Sequence, residues 1–72
     1  MNANKIRGRI VEMFGTQRNF AKAIGKSEQT VNKKLNNASQ FSLDDIAEWS
    51  NALGITQEEV GSYFFANELQ KH

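Results

Sequence analysis

Apolar side chains recur at helical spacing in five segments of the chain. In the first segment Ile6, Ile10 and Phe14 lie four residues apart, which places them on one face of an α-helix. The inward positions of the other segments are mostly three or four residues apart, and they are Phe20, Ala21 and Ile24; Val31 and Leu35; Leu43, Ile46, Ser50 and Leu53, with Trp49 at the edge; and Val60, Tyr63, Phe64 and Leu69. No stretch alternates with period two for the length of a strand, so the pattern predicts an all-α fold of five helices.

Glycine and hydroxyl residues mark the boundaries of these helices. Three glycines, each able to end a helix in the left-handed conformation, stand one or two positions before a good N-cap residue: Gly15, Gly25 and Gly54. Ser42 with Asp45, and Thr56 with Glu59, have the spacing of a capping box. The signals predict helices over about residues 4–14, 17–24 and 28–36, a loop over 37–41, a fourth helix after Ser42 and a fifth after Thr56.

The chain of 72 residues is short enough to form one domain, residues 1–72, with a small core. The side chains expected in that core are Ile6, Ile10, Phe14, Phe20, Ile24, Val31, Leu35, Ile46, Leu53 and Val60. No apolar run approaches the roughly 18 residues of a membrane helix, and the first ten residues lack the apolar stretch of a secretory signal. We therefore expect a soluble, cytoplasmic protein that does not bind a membrane.

The composition lacks the residues that most kinds of catalytic and metal-binding site require. The chain has no cysteine, and its only histidine is residue 72, so disulfides, thiolate or histidine metal sites and cysteine-based catalysis lack their residues. The adjacent carboxylates of Asp44, Asp45 and Glu48 lie in a first helical turn, where the helix dipole favours them. We expect no enzymatic activity, no small-molecule substrate, no metal and no cofactor.

The formal net charge of +1 is an average over two unlike halves. Residues 1–37 carry eight basic and two acidic side chains, a net charge of +6, whereas residues 38–72 carry one basic and six acidic side chains, a net charge of −5. Such an asymmetry indicates a polyanion partner for the first half. The alternative is that charges segregate by chance on solvated helix faces.

The second and third helices are separated by only three residues, Gly25, Lys26 and Ser27. This is the spacing of a helix-turn-helix unit, here over about residues 17–36. Ala21 is small where the two helices would cross, and Gly25 can adopt the positive φ that starts the turn. Ser27 would cap the third helix, so the first turns of that helix project outward.

The exposed face of the third helix has residue types that read base edges. Glutamine and asparagine bind adenine bidentately, and lysine donates to guanine O6 and N7. Our candidates for base contact are Gln29, Lys33, Asn32, Thr30 and Glu28. Glu28 is the awkward member, because phosphates repel a carboxylate. It would accept from cytosine N4, orient Gln29 or Lys33, or only favour the helix N-terminus electrostatically.

Candidates for phosphate contact lie at both ends of the unit. The N-terminal amides of the second helix are a natural phosphate seat, and the opposite DNA strand would pass the far end of the third helix. These candidates are Thr16, Gln17, Arg18, Lys34, Asn36 and Asn37. The basic cluster of Lys5, Arg7 and Arg9 has two interpretations, a solvated face of the first helix or an additional contact to the DNA backbone.

The run from Gln17 to Val31 resembles the helix-turn-helix of the lambdoid-phage Cro and repressor DNA-binding domains. Residues 36–37, 42–46 and 53–56 continue the pattern, so the resemblance covers about residues 4–65. It implies a five-helix Cro/repressor-like domain that binds a two-fold double-stranded DNA operator as a homodimer and regulates transcription in a bacterial host.

The resemblance also implies roles for single positions. It assigns phosphate contacts to Gln17 and Asn36, and base contacts to Glu28, Gln29 and Lys33. The chain departs from the family where an apolar residue commonly stands three positions after Val31, because Lys34 lies there and Leu35 follows. Glu28 also replaces the neutral residue frequent at its position, so the operator sequence does not carry over.

Three consecutive aromatics, Tyr63, Phe64 and Phe65, cannot all face one small core, because neighbours on a helix lie about 100° apart. At least one ring should be partly exposed, and we expect a dimer interface at Phe64, Phe65 and Leu69. The alternative is that the helix ends near Phe65 and its ring folds back onto the domain. A rival function for the whole chain is a small protein-interaction module, an antirepressor or adaptor, that works through the acidic second half.

Overall fold

In a computed structural model, which describes residues 1–37 and 41–65, the chain forms five α-helices. They are α1 (Ala3–Phe14), α2 (Gln17–Ala23), α3 (Glu28–Asn36), α4 (Leu43–Leu53) and α5 (Gln57–Phe64). The described ranges contain no strand, so the predicted all-helical architecture is confirmed. None of the described helices has the length and apolar character needed to span a membrane. The predicted inward position Leu69 lies outside the described residues.

The helix boundaries follow from local capping. The hydroxyl oxygens of Thr16, Ser27 and Ser42 each accept a hydrogen bond from the backbone N–H three residues on, at 3.0–3.1 Å. At the start of α5, the backbone N–H and hydroxyl of Thr56 both donate to the Glu59 carboxylate, and these bonds lower the pKa of Glu59. The four predicted N-caps are therefore in place.

The α2–α3 connection is a glycine turn with defined hydrogen bonding. Gly25 has φ +71°, a left-handed conformation that residues with a Cβ rarely adopt. Its N–H donates to the carbonyl of Lys22 at 3.1 Å, and the Lys26 N–H donates to the carbonyl of Ala21 at 2.9 Å. These two bonds form a Schellman motif, which satisfies the last carbonyls of α2 and fixes the direction in which the chain leaves it.

A chain of aromatic contacts runs through the core. Phe14 on α1 lies 5.4 Å from Phe20 on α2, measured between ring centroids, and Phe20 lies 4.9 Å from Trp49 on α4. Phe41 then links Trp49, at 4.7 Å, to Phe64 on α5, at 5.5 Å. The first pair is tilted and the other three are edge-to-face, and edge-to-face pairs at these distances are favourable beyond the area they bury. The central helix α1 packs against the other four helices, and its Ile6 and Ile10 are buried in the core.

The core differs from the predicted one at particular positions. Trp49 was placed at the edge of the apolar face but is buried, and Leu43 was placed on that face but is 80% exposed. Both predictions were wrong. The tryptophan fills the centre of the domain, whereas Leu43 is the first residue of α4 and is exposed there, although it shares a side of the helix with the buried Ser50 seven residues later. Phe41 and Ile55, outside the predicted helices, also pack in the core. Phe14, Ile24, Ile46 and Val60 are only partly buried, whereas the other predicted core residues are buried.

An ion pair joins α3 to the start of α4. The Lys34 ammonium donates to the Asp45 carboxylate at 2.7 Å, and the same carboxylate oxygen accepts from the backbone N–H of Ser42 at 3.0 Å. Both side chains are largely covered, with exposures of 17% and 19%. The lysine pair and the bond from Ser42 hold the pKa of Asp45 below its usual range.

The variant Asp45→Asn keeps an acceptor for Ser42 but loses the charge that binds Lys34. We expect the free energy of unfolding at neutral pH to fall by about 1 kcal/mol, measured by urea unfolding. Because the pKa of Asp45 is lowered in the folded state, this stabilisation is complete above the ordinary carboxyl pKa and is lost as the pH falls through the lower folded value. The two proteins should converge in acid. The exposed Asp44→Asn is the control, and a difference independent of pH would contradict the assignment.

Ser50 is a polar side chain in the core, at 7% exposure. Its hydroxyl has no hydrogen-bond partner among the described residues, and a buried polar group without a partner is destabilising. Ser50→Ala should therefore raise the free energy of unfolding by about 1 kcal/mol, measured by thermal or urea unfolding. Asn51→Ala, an exposed change on the same helix, reports the gain from helix propensity alone. A gain no larger than that of the control would indicate that the hydroxyl is satisfied.

Candidate nucleic-acid interface

One face of α3 is polar and open to solvent along the whole helix. Gln29, Asn32, Lys33 and Asn36 are all exposed, and their spacing of three, four and seven residues from Gln29 places them on one stripe. The opposite stripe, Val31 and Leu35, is buried at 0% and 2% exposure. The departure at Lys34 therefore does not move Asn32 or Lys33 off the outer face. Asn32 and Lys33 are both exposed.

Two shallow grooves follow this stripe and meet at Asn32. The first is lined by Gln17 at the start of α2 together with Glu28, Gln29 and Asn32. The second is lined by Asn32, Lys33, Asn36 and Asn37. Every residue that lines them was among the sequence candidates, and together they bring the base-contact set next to the phosphate set.

The remaining candidates at the N-terminal ends of α2 and α3 differ in availability. Arg18 is exposed in the first turn of α2. The Thr16 oxygen is used as a helix cap, although its hydroxyl hydrogen is still able to donate. Thr30 is half-buried, and its hydroxyl lies 2.8 Å from that of Ser27. Glu28 is exposed in the first turn of α3, where a carboxylate interacts favourably with the positive end of the helix dipole.

Asn19 has a positioning role that sequence reasoning missed. Its side-chain amide donates to the carbonyl of Phe14 at 3.0 Å, and its backbone N–H donates to Thr16. The last turn of α1 and the first turn of α2 are thereby fastened to each other. The only sequence signal was the position of Asn19 three residues after a cap, which many residue types occupy.

Lys34 faces away from the polar stripe. Its ammonium binds Asp45 and lies 5.8 Å from the centroid of the Phe41 ring. A phosphate contact by Lys34, as predicted, would have to compete with this largely covered ion pair. This ion pair was not predictable from local sequence patterns, because Lys34 and Asp45 are eleven positions apart on different helices.

The three basic residues of α1 divide into two groups. Lys5 donates to the Ser62 hydroxyl at 2.9 Å, and Arg9 donates to the Leu53 carbonyl at 2.8 Å. These bonds fasten α1 to α5 and to the end of α4. Arg7 instead donates to the side-chain oxygen of Asn36 at 2.9 Å, at the far end of α3.

The residues expected at the dimer interface differ in their exposure. Phe64 is 5% exposed and belongs to the core, so its ring is covered within one subunit and is not available to a second. Phe65 is 36% exposed, which agrees with the expectation that one of the three aromatics faces out. Leu69 lies outside the described residues.

Within residues 1–37 and 41–65, no three His, Cys, Asp or Glu side chains are grouped so that they could hold a metal ion. No curated protein and no solved structure matches the chain. A family model described as "Protein of unknown function (DUF739)" matches residues 2–67, which include all five helices. The chain thus belongs to the DUF739 family.

Proposed function

We propose that this protein binds double-stranded DNA sequence-specifically as a transcriptional repressor of the Cro/repressor type, with α3 in the major groove. The observation that carries the proposal is the exposed stripe of amide and ammonium side chains on α3, opposite its buried stripe. A helix that served only to cover the core would have no need for three amides and a lysine along its outer face. In this proposal the α2–α3 unit is a helix-turn-helix.

The spacing of the stripe suits successive base pairs. Gln29 and Lys33 are separated by four residues, about 6 Å along a helix axis, and Gln29 and Asn36 by about 10 Å. Base pairs rise about 3.4 Å per step, so the stripe spans about two to three steps. Gln29 and Asn32 would bind adenine N6 and N7, and Lys33 would donate to guanine O6 and N7.

Charge supports a polyanion at this surface. Between residues 17 and 37 the only acidic residue is Glu28, against five basic ones. Of those five, Arg18, Lys22, Lys26 and Lys33 are exposed. The acidic side chains of Asp44, Asp45, Glu48, Glu58 and Glu59 belong to α4 and α5. Arg18 and Gln17 would bind phosphate at the N-terminus of α2, since the helix dipole favours an anion there.

Repression in this proposal is steric and needs no catalysis and no cofactor. A dimer covering promoter DNA excludes the transcription machinery, and two copies of α3 read the two halves of the operator. Phe65 is the described candidate for the dimer contact, because it is the exposed member of the aromatic run at the end of α5.

Gln29→Ala tests the base-reading assignment, after sites bound by the wild type have been selected from a random duplex pool. We expect the variant to lose about 1–3 kcal/mol of binding free energy at the selected site and little on random DNA. Titrations monitored by fluorescence anisotropy measure both. Gln57→Ala, which removes an exposed glutamine from α5, should change neither. An equal loss on both DNAs would remove Gln29 from the base-reading residues.

The same titrations decide between DNA binding and a protein-interaction module. Duplex binding should weaken steeply with salt, with a log–log slope of about −0.9 per phosphate contact. A wild-type chain without affinity for duplex DNA at low salt would overturn the proposal and favour the module that uses the acidic second half.

Phe65→Ser tests the dimer contact. We expect weaker dimerisation and less cooperative operator binding with an unchanged monomer fold, because Phe65 contributes apolar surface outside the core. Sedimentation measures the association, and circular dichroism measures the fold. Leu43→Ser is the control, since Leu43 is a more exposed apolar residue on another helix. A Phe65→Ser variant that stays dimeric at micromolar concentration would place the interface elsewhere.

A further inference from the structure

We propose that α1 adds a DNA contact outside the α2–α3 unit, in which Arg7, held by Asn36, binds a backbone phosphate beside the C-terminal end of α3. The inference rests on the proposed DNA binding and extends it to a helix that no motif marks. Its basis is that the three cations of α1 contact different helices: Lys5 and Arg9 bind groups on α5 and α4, whereas Arg7 binds a group on α3.

Two of these cations, Lys5 and Arg9, bind groups on α5 and at the end of α4. The Lys5 ammonium donates to Ser62 and lies 4.7 Å from the centroid of the Tyr63 ring. The Arg9 guanidinium donates to the Leu53 carbonyl and forms an ion pair with Glu12 at 2.9 Å. Lys5 and Arg9 are four residues apart and therefore share the face of α1 that meets α4 and α5. Both have structural partners there.

Arg7 projects from another side of α1. It lies two residues from each of the other cations, about 200° around the helix, and it faces α3. Its Nη2 donates to the Asn36 side-chain oxygen at 2.9 Å. Asn36 in turn lines the groove that contains Asn32, Lys33 and Asn37. The guanidinium is thereby positioned at the end of the candidate DNA surface.

The partner of Arg7 is neutral, as are the Ser62 and Tyr63 partners of Lys5. Arg7 therefore differs from Lys5 by lying beside the groove at the end of α3, and it differs from Arg9 and Lys34 also by the charge of its partner. Arg9 and Lys34 are each paired with a carboxylate, which offsets their charge toward an external anion. An amide offsets no charge, and it uses one of the five N–H donors of the guanidinium. Arginine binds phosphate through parallel N–H donors. Asn36 fixes one end of the side chain, so less rotamer freedom is lost when a phosphate binds.

A matched pair of charge-removing variants tests this contact. Arg7→Gln and Lys5→Gln each remove one positive charge from α1, on different sides of the helix. The probe is a mixed-sequence duplex, because phosphate contacts need no operator, and binding is titrated over a series of salt concentrations. We expect Arg7→Gln to make the log–log salt slope shallower by about 0.9, one phosphate contact, and Lys5→Gln to leave the slope near that of the wild type.

Asn36→Ala tests the positioning. We expect Arg7→Gln to weaken binding by a smaller factor in the Asn36→Ala background than in the wild type, because the guanidinium is no longer held there. Additive effects on the binding free energy would show that the two residues act independently and would overturn the role of Asn36. Thermal unfolding monitors the fold of each variant. If Arg7→Gln is destabilised, Arg7→Met and Lys5→Met, which keep aliphatic side chains, replace the pair.

The outcomes separate the two proposals. Equal slopes for the Arg7 and Lys5 variants, with a wild type that binds DNA, would overturn the α1 contact and leave the proposed function standing. In that case the charges of α1 act only at long range. A wild-type chain that binds no duplex overturns both.

Discussion

The Phe20 ring, which lies 5.4 Å from Phe14 on α1 and 4.9 Å from Trp49 on α4 between ring centroids, holds α2 onto the rest of the domain. α2 has only seven residues and buries only Phe20 and Ala21, so much of its attachment depends on this ring. Trp49 also contacts the Phe41 ring, and each large aromatic side chain buries an extensive area in a core. These rings fix the position of α2, and the glycine turn then fixes the start of α3. The outer face of α3 is therefore not needed to attach the helix to the core.

The fold decides which positive charges remain for an external partner. Lys5, Arg9 and Lys34 bind acceptors on neighbouring helices, so each contributes to cohesion between elements. Arg18 and Lys33 remain exposed, and within the part of the chain that the structure describes Arg7 binds the neutral amide of Asn36 at the end of α3. The total charge is near neutral, yet one surface is basic. Fewer basic side chains are available on that surface than the net charge of +6 for residues 1–37 suggests. The proposed DNA surface depends on the placement of these charges more than on their number.

Local signals predicted the elements well, and they did so for a physical reason. Caps such as Ser27 and turns such as that at Gly25 are formed by residues within a few positions of one another, so their chemistry can be read along the chain. The stripe of Gln29, Asn32, Lys33 and Asn36 was predictable in the same way, because helical periodicity places it opposite Val31 and Leu35. The sequence candidates on the α3 surface accordingly lie together in the structure.

By itself the sequence determined the five helices, their ends and the polar face of α3, because each depends on interactions within one segment. Only the tertiary structure decided that α4 buries Trp49 and leaves its first residue, Leu43, exposed, since the pattern along one helix does not show how far the neighbouring helices cover it. It also decided that Phe64 fills the core, that Lys34 binds Asp45 and that Arg7 meets Asn36. These contacts join residues far apart in the chain, and only packing of the helices brings them within reach.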